Sequence, residues 1–312
     1  MGSNTIHLLV ASPSDTGLTD RRHAVVMAGL GAEVERQGRL GPELIERVAD
    51  TVSTMLQLAR EDGAEEVRMV ATEFARLAPD AGDLVRAVRE TSGASLRVLT
   101  GEAEARLSYL GATAYRVSPK SPALVADIGG GSTEVVVGEG ARPRLATSVR
   151  LGSAQLLRAV SADDPPSPRQ LADAEALASM ALESAPQPDR PRALLATGGT
   201  AANLPVLLGR RPAAADSGPL RLFDEKGEGW TEVSRLELTR ASLLTRELSS
   251  VELAARSGLS ERRARLMSGG VVIVRALMER YGAAAATVTE RGLRDGVILA
   301  LAASQRSPAA EG

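Results

Sequence analysis

The chain has 312 residues, 44% of them hydrophobic, enough for two domains with separate cores, and a formal charge of −2 that argues against a general nucleic-acid or membrane-surface role. It holds no cysteine and only two histidines, His7 and His23, which excludes disulfides and cysteine catalysis and leaves the chemistry to Asp, Glu, Arg, Ser, Thr and the backbone. No run approaches the roughly 20 apolar residues of a membrane span, and the N-terminal apolar patch is too short for a signal peptide, so a cytoplasmic protein is expected.

In chain order, the pattern predicts strands over 5–10, 23–30 and 66–72. Between the last two lies a helix over 41–62, opened by Pro42 and carrying Leu44, Val48, Val52, Met55 and Leu56 on one face. A helix ended by Gly93, a strand over 95–100 and a helix from Gly101 with an acidic first turn follow. The Pro/Ser-rich stretch 116–122 is the expected boundary between a first domain, 1–118, and a second, 119–304. Three successive strands, 123–128, 133–138 and 143–149, suggest an antiparallel meander. Then come a helix from about 151, loops over 161–168 and 184–192 around a helix over 169–183, and a strand, glycine turn and helix at 192–208. A loop over 208–221 leads into helices to about 281, and a last strand, turn and helix complete the second domain, that helix packing back on the first. A disordered tail is expected over 305–312. Strands mixed with helices in this way mean an α/β protein.

Two stretches echo one another: "MGSNTIHLLV" at the start and "DIGGGSTEVVV" at 127–137. Each is a glycine turn, a hydroxyl residue and a strand. Glycine lets backbone N–H groups approach an anion, and Ser or Thr adds a donor, so such turns cradle phosphates. The plain alternative is two unrelated β-turns. Two turns opening successive α/β halves, with a third at "ATGGT" (196–200), favour a phosphate- or nucleotide-binding cleft between duplicated ribonuclease-H-like domains, the actin/Hsp70/sugar-kinase architecture. The first turn has only Met1 before it, so its incoming strand is the missing half.

Six segments in order give the chain a resemblance to the exopolyphosphatase/guanosine pentaphosphate phosphohydrolase family in its short two-domain form. They are Gly2-Ser3-Asn4-Thr5, "ATEFARLA" (71–78), "GEAEARL" (101–107), Asp127 to Glu134, Gly198-Gly199-Thr200 and "TERGLRDG" (289–296). The resemblance implies hydrolysis of a terminal phosphoanhydride, with polyphosphate as the expected substrate and guanosine pentaphosphate as the alternative. A binding protein that keeps the cleft without turnover is a rival of another class. An ATP-dependent sugar kinase is the third reading, less favoured because that group lacks the "GEAEARL" and "TERGLRDG" segments.

Such hydrolysis needs charge neutralised on the phosphoryl group and a water in line with the bond. Asp127 ends an apolar strand at the glycine turn, where a hard oxygen ligand suits Mg²⁺, with Mn²⁺ the alternative. Glu134, leaving the turn, is the second metal candidate. Their plain readings are a turn cap and a solvent-facing residue. By resemblance Glu104 is the base that activates water, though an acid in a first helical turn is also favourable by itself. Arg76 matches the family's phosphate-gripping arginine, against an ordinary ion pair. Ser3, Asn4, Gly130, Gly131, Ser132 and Gly199 are the expected phosphate cradle. Arg294 is either a site residue or a packing one. The clusters Arg210-Arg211 and Arg262-Arg263-Arg265 are read as solvated faces, with a polyanion track the alternative.

The sequence also departs from the family. The family's first-loop aspartate stands two residues before the glycine, a position that precedes Met1, and a misassigned start codon is the simplest account. Gly29 replaces an expected arginine, Asp80 an asparagine and Arg265 an aspartate. The long C-terminal helical domain of larger members does not follow, which leads to the expectation of a homodimer.

Overall fold

The structure is a computed structural model that describes residues 1–14, 17–114, 122–188, 193–210, 221–224 and 230–306. The chain opens in an antiparallel hairpin of β1 (Thr5–Ser14) and β2 (Gly17–Met27), with Thr5 opposite Met27. The strand expected over 23–30 ends earlier, because Gly29 takes φ +66°, a left-handed conformation that turns the backbone out of the sheet into α1 (Leu30–Gln37). The long helix falls where its periodicity placed it, as α2 (Pro42–Glu61), burying the expected apolar face. Asp80 accepts the N–H groups of Leu40 (3.0 Å) and Gly41 (2.9 Å), so this departure from the family residue caps the entry to α2.

Next come β3 (Met69–Ala71), α3 (Glu73–Leu77), α4 (Ala81–Ser92), β4 (Leu96–Val98) and α5 (Gly101–Thr113). Among the described residues β3 pairs in parallel with β4 and with no other strand, and only three of the residues expected there are strand.

The expected meander forms as β5 (Pro122–Ile128), β6 (Thr133–Glu139) and β7 (Arg142–Val149). It is followed by α6 (Ser153–Ala159), α7 (Pro168–Leu182), β8 (Leu194–Thr197), α8 (Gly198–Ala201), α9 (Leu204–Leu207) and β9 (Arg221–Asp224). Then β10 (Trp230–Ser234) precedes α10 (Arg235–Glu247), α11 (Ser250–Ser257), α12 (Glu261–Arg280), β11 (Ala285–Thr289) and α13 (Leu293–Arg306). Neither β9 nor β10 was expected. β10 lies at the edge of its sheet and gives way at once to the Ser234/Glu237 capping box of α10, a helix-start signal that masks a short strand.

Six strands form one sheet in the order β10-β11-β8-β5-β6-β7, with β5 parallel to β8 and antiparallel to β6. Counting from β5, its five core strands run 3-2-1-4-5, the ribonuclease-H-like order. The first half holds the pairs β2-β1 and β3-β4, which correspond to 3-2 and 4-5 of the same order, and β9 extends it beyond β2. Separate apolar cores fill the halves, around Leu30, Val48, Phe74 and Leu84 in one and around Leu124, Leu156, Ala196 and Ile273 in the other.

Helix α13 runs against α5 so closely that a Cβ on Gly111 would lie 1.9 Å from the Gly292 carbonyl, and it also reaches β1. It continues to Arg306, so Gln305 and Arg306 are helical, contrary to the expected tail, and 307–312 lie outside the described residues. Apart from Pro122, which opens β5, the boundary expected at 116–122 also lies outside them, as do 189–192 and 211–220 of the expected loops.

Candidate active site

The two glycine turns face one another. A Cβ on Gly130 would lie 3.7 Å from Asn4, and one on Gly131 would lie 3.1 Å from Ser3 Oγ and 1.7 Å from the Glu73 carboxylate. Between them opens a cavity of about 1270 Å³ whose walls include Ser3, Asn4, Gly130, Gly131, Ser132 and Gly199. The whole expected cradle is therefore gathered at one place. The second turn is held from behind by Gly152, where a Cβ would come within 2.3 Å of the Gly130 carbonyl carbon.

Three carboxylates converge on this cavity: Glu104 from the first turn of α5, Asp127 from the end of β5 and Glu134 from β6. Asp127 and Glu134 are direct cross-strand partners, so both side chains leave the same face of the sheet. Glu134 is 2% exposed, which rules out its reading as a solvent-facing residue. Ser108 donates to Asp127 Oδ2 and Ser148 to Glu134 Oε1 (2.7 Å). These hydroxyls, with that of Ser132 also on Glu134, do not replace a hydration shell. Burial accordingly pushes the Glu104 carboxyl from its usual 4.5 up to about 7, with Arg76 opposing and Asp127 and Glu73 adding to the rise. Burial also raises Asp127, against the Ser108 hydrogen bond and the Arg294 charge, and lifts Glu134 well above the usual range, with Glu104 and Asp127 contributing.

Arg76 stands differently from expectation. Its guanidinium donates to Glu104 Oε2 (2.8 Å) and to the Leu99 carbonyl (2.9 Å), and it is not among the residues that line the cavity. It is an ion pair, but one with a cavity-lining acid that is only 6% exposed rather than a surface pair. The arginines that line the cavity are instead Arg68, Arg291, Arg263, near the start of α12, and Arg294, on α13, whose Nη1 lies 3.3 Å from His23 Nδ1. The basic cluster splits: Arg265 bonds the Ala162 carbonyl, Arg210 pairs with Glu237 at 2.9 Å, and Arg211 lies outside the described residues. Arg262 donates to Asn4 Oδ1 (3.3 Å), and its Nη2 would be 2.2 Å from a Cβ on Gly29. The space above Gly29, where the sequence comparison expected an arginine, is thus occupied by a guanidinium from α12.

Sequence reasoning missed Glu73 and His7. Glu73, 8% exposed at the head of α3, accepts the Ser3 hydroxyl (3.4 Å) and touches Gly131, joining the two turns. It sat inside "ATEFARLA" at a position with no signal beyond an acid in a first helical turn. His7 projects into the cavity and shares a hydrogen bond with Thr5 Oγ1 (2.7 Å). Its ring is exposed to the cavity, yet the desolvation imposed by the surrounding walls, then the charges of Arg294, the N-terminus and Arg263, hold its imidazole well below the usual 6.5.

No preformed group of three or more His, Cys, Asp or Glu ligands occurs among the described residues. The donors present, two facing carboxylates beside a phosphate cradle, fit a small hard cation that completes its shell with water and substrate oxygens.

A paired ribonuclease-H-like frame with opposed glycine turns and an acidic cleft defines the class, an actin-like two-domain α/β protein. The chain belongs to the Ppx/GppA phosphatase family, which it matches over residues 24–305. It is 31% identical over 320 residues to exopolyphosphatase 2 of Mycobacterium tuberculosis, covering 96% of each chain, and 29% identical over 307 residues to exopolyphosphatase 1 of the same organism, covering 96% of this chain and 86% of the relative. The crystal structure of the Aquifex aeolicus Ppx/GppA family member superposes with a TM-score of 0.79 at 26% identity, covering 98% of this chain and 96% of the other. No helix among the described residues is long and apolar enough to cross a membrane.

Proposed function

We propose that the protein is an exopolyphosphatase that removes the terminal phosphate of inorganic polyphosphate, processively, by in-line attack of water. The observation that carries this reading is the convergence of Glu104, Asp127 and Glu134 on a cavity walled by two opposed phosphate-type turns. Family membership and the exopolyphosphatase relatives support it.

The turns at Ser3-Asn4 and Gly130-Ser132 offer N–H and hydroxyl donors to the phosphate chain, and Arg263 and Arg294 offset its charge. Glu104 takes the proton of the attacking water. A carboxyl raised to about 7 is a much better base near neutral pH than an ordinary one, and its bond to Arg76 holds it in orientation. Asp127 and Glu134 would hold Mg²⁺ or Mn²⁺, which supplies neutralisation of charge on the phosphoryl oxygens. Burial is the main cause of their raised affinity for protons, and a bound cation would offset that cost for the ionised pair.

The test is Mg²⁺-dependent phosphate release from long-chain polyphosphate, run beside guanosine pentaphosphate. Preference for the second substrate would make the protein a guanosine pentaphosphate phosphohydrolase. Tight binding of either one with no release, in protein whose fold is intact by melting, would make it a sensor and remove the hydrolase reading.

A further inference from the structure

Neither Arg262 nor Glu73 lines the cavity, yet each reaches from one half of the molecule to the phosphate turn of the other. Arg262, on α12, donates to Asn4 of the first turn. Glu73, at the head of α3, lies so close to Gly131 of the second turn that a Cβ there would meet its Oε2 at 1.7 Å and its Cδ at 2.8 Å. The same Oε2 accepts the Ser3 hydroxyl (3.4 Å), so one carboxylate touches both turns. The space that a side chain at 131 would need is filled by Glu73.

Both ends of this contact are firmly mounted. Phe74 and Ala75, the next residues of α3, are buried in the core of the first half. The second turn is bonded to the start of α6: the Ser153 N–H donates to the Gly129 carbonyl (3.0 Å), and the Ala154 (3.0 Å) and Gln155 (2.9 Å) N–H groups donate to that of Gly130. Close-packed elements of this kind yield little, so the carboxylate between them sets their separation. Charge crosses between the halves at the same place. Glu35 of α1 pairs with Arg158 of α6, and Arg150, which follows β7, acts on Glu73. Burial raises the Glu73 carboxyl above its usual value; Arg76, Arg150 and the Ser3 hydroxyl oppose the rise, and Glu35 adds to it.

We infer that Glu73 is a positioning residue, a spacer that fixes the distance between the two phosphate turns and so the width of the cradle, without touching substrate. The inference rests on the hydrolase reading only for the identity of the phosphate chain. An anion held from both sides is held well at one separation of the donors, because N–H···O bonds need donor–acceptor distances of about 2.7–3.2 Å. The spacer therefore governs how tightly the phosphate chain is gripped. Glu104, Asp127 and Glu134 keep their places on α5, β5 and β6 without it, so its loss should appear in KM rather than in kcat.

The chain has no cysteine, so Thr54→Cys on α2 and Ala172→Cys on α7, both at exposed positions, take spin labels at those two places alone, one in each half. Label distances and steady-state kinetics on long-chain polyphosphate are then measured for Glu73→Ala, Glu73→Gln and Glu73→Asp. Glu73→Ala should raise KM at least ~10-fold with kcat within ~3-fold, and shift or broaden the label distance. Glu73→Gln has the same length and still accepts from Ser3, so it should recover most of the KM and the parent distance. Glu73→Asp keeps the charge but is one methylene shorter; it should behave like the alanine variant and stands in for it if alanine prevents folding. An unmoved label distance in the shortened variants, a loss confined to kcat, or a glutamine variant as impaired as alanine would overturn the inference and leave Glu73 a buried packing residue. Should the parent release no phosphate, the hydrolase reading falls by itself, and the label distances with polyphosphate dissociation constants from calorimetry decide the role of Glu73.

Discussion

Asp127 and Glu134 face each other across the β5–β6 pair, two carboxylates on one side of a sheet with no cation of the protein paired to either among the described ion pairs. Such an arrangement costs stability and is retained here in the wall of the cavity. Replacing Glu134 with Gln removes one of the facing charges while keeping an acceptor for Ser148. The melting temperature at pH 8 should hold or rise, while Mg²⁺ affinity measured by calorimetry falls ~10-fold or more. Unchanged Mg²⁺ affinity would take Glu134 out of the metal site.

Glu104→Gln keeps the shape of the side chain and removes the carboxylate proposed as base. Turnover should fall by about 10²–10⁴-fold with polyphosphate binding preserved. Near-normal turnover would end the assignment of Glu104 as base.

The pH dependence follows from the same group. Turnover should climb as pH rises through about 7, because the base must be unprotonated, and this midpoint belongs to the coupled acidic cluster rather than to one residue. Saturating Mg²⁺ should move the midpoint downward, since a cation favours the ionised carboxylates. Stability should run the other way. The folded carboxyl keeps its proton to about 7 and the unfolded one loses it near 4.5, so the contribution is complete below 4.5 and is lost as pH rises to about 7. Melting temperature should decline across that window, and less steeply in Glu104→Gln.

Arg76 acts on Glu104. Arg76→Ala leaves a carboxylate that is 6% exposed without its cation, so the midpoint of the pH–rate profile should move upward and stability should fall by ~1–3 kcal/mol. Arg76→Lys should recover part of the shift. An unmoved midpoint would restrict Arg76 to a packing role.

Gly152 sits where a Cβ would press on backbone that cannot swing aside, 2.3 Å from the Gly130 carbonyl carbon. Gly152→Ala should push the second turn out of place, costing ~1–3 kcal/mol and raising the KM for polyphosphate. Calorimetric melting and steady-state kinetics read the two effects.

Local signals carried a good part of this protein. The 3.6-residue period from Leu44 to Leu56 located α2, the apolar runs 123–128, 133–138 and 143–149 located the meander, and the glycine turns with Asp127 and Glu134 pointed to residues that line the cavity, because each pattern is written by neighbours along the chain. The echo of Gly2-Ser3-Asn4 in Gly130-Gly131-Ser132 was legible for the same reason. What needed the folded chain was every relationship between distant residues. The left-handed turn at Gly29, the edge strand β10, the role of Glu73 between the two turns and the pairing of Arg76 with Glu104 rather than with the cavity all depend on what lies across the fold. So does the rise of Glu104 to about 7, because desolvation is a property of surroundings and not of a residue in its sequence. The sequence determined which groups could do the chemistry, and burial and juxtaposition decided which of them face the cleft and in what state of charge.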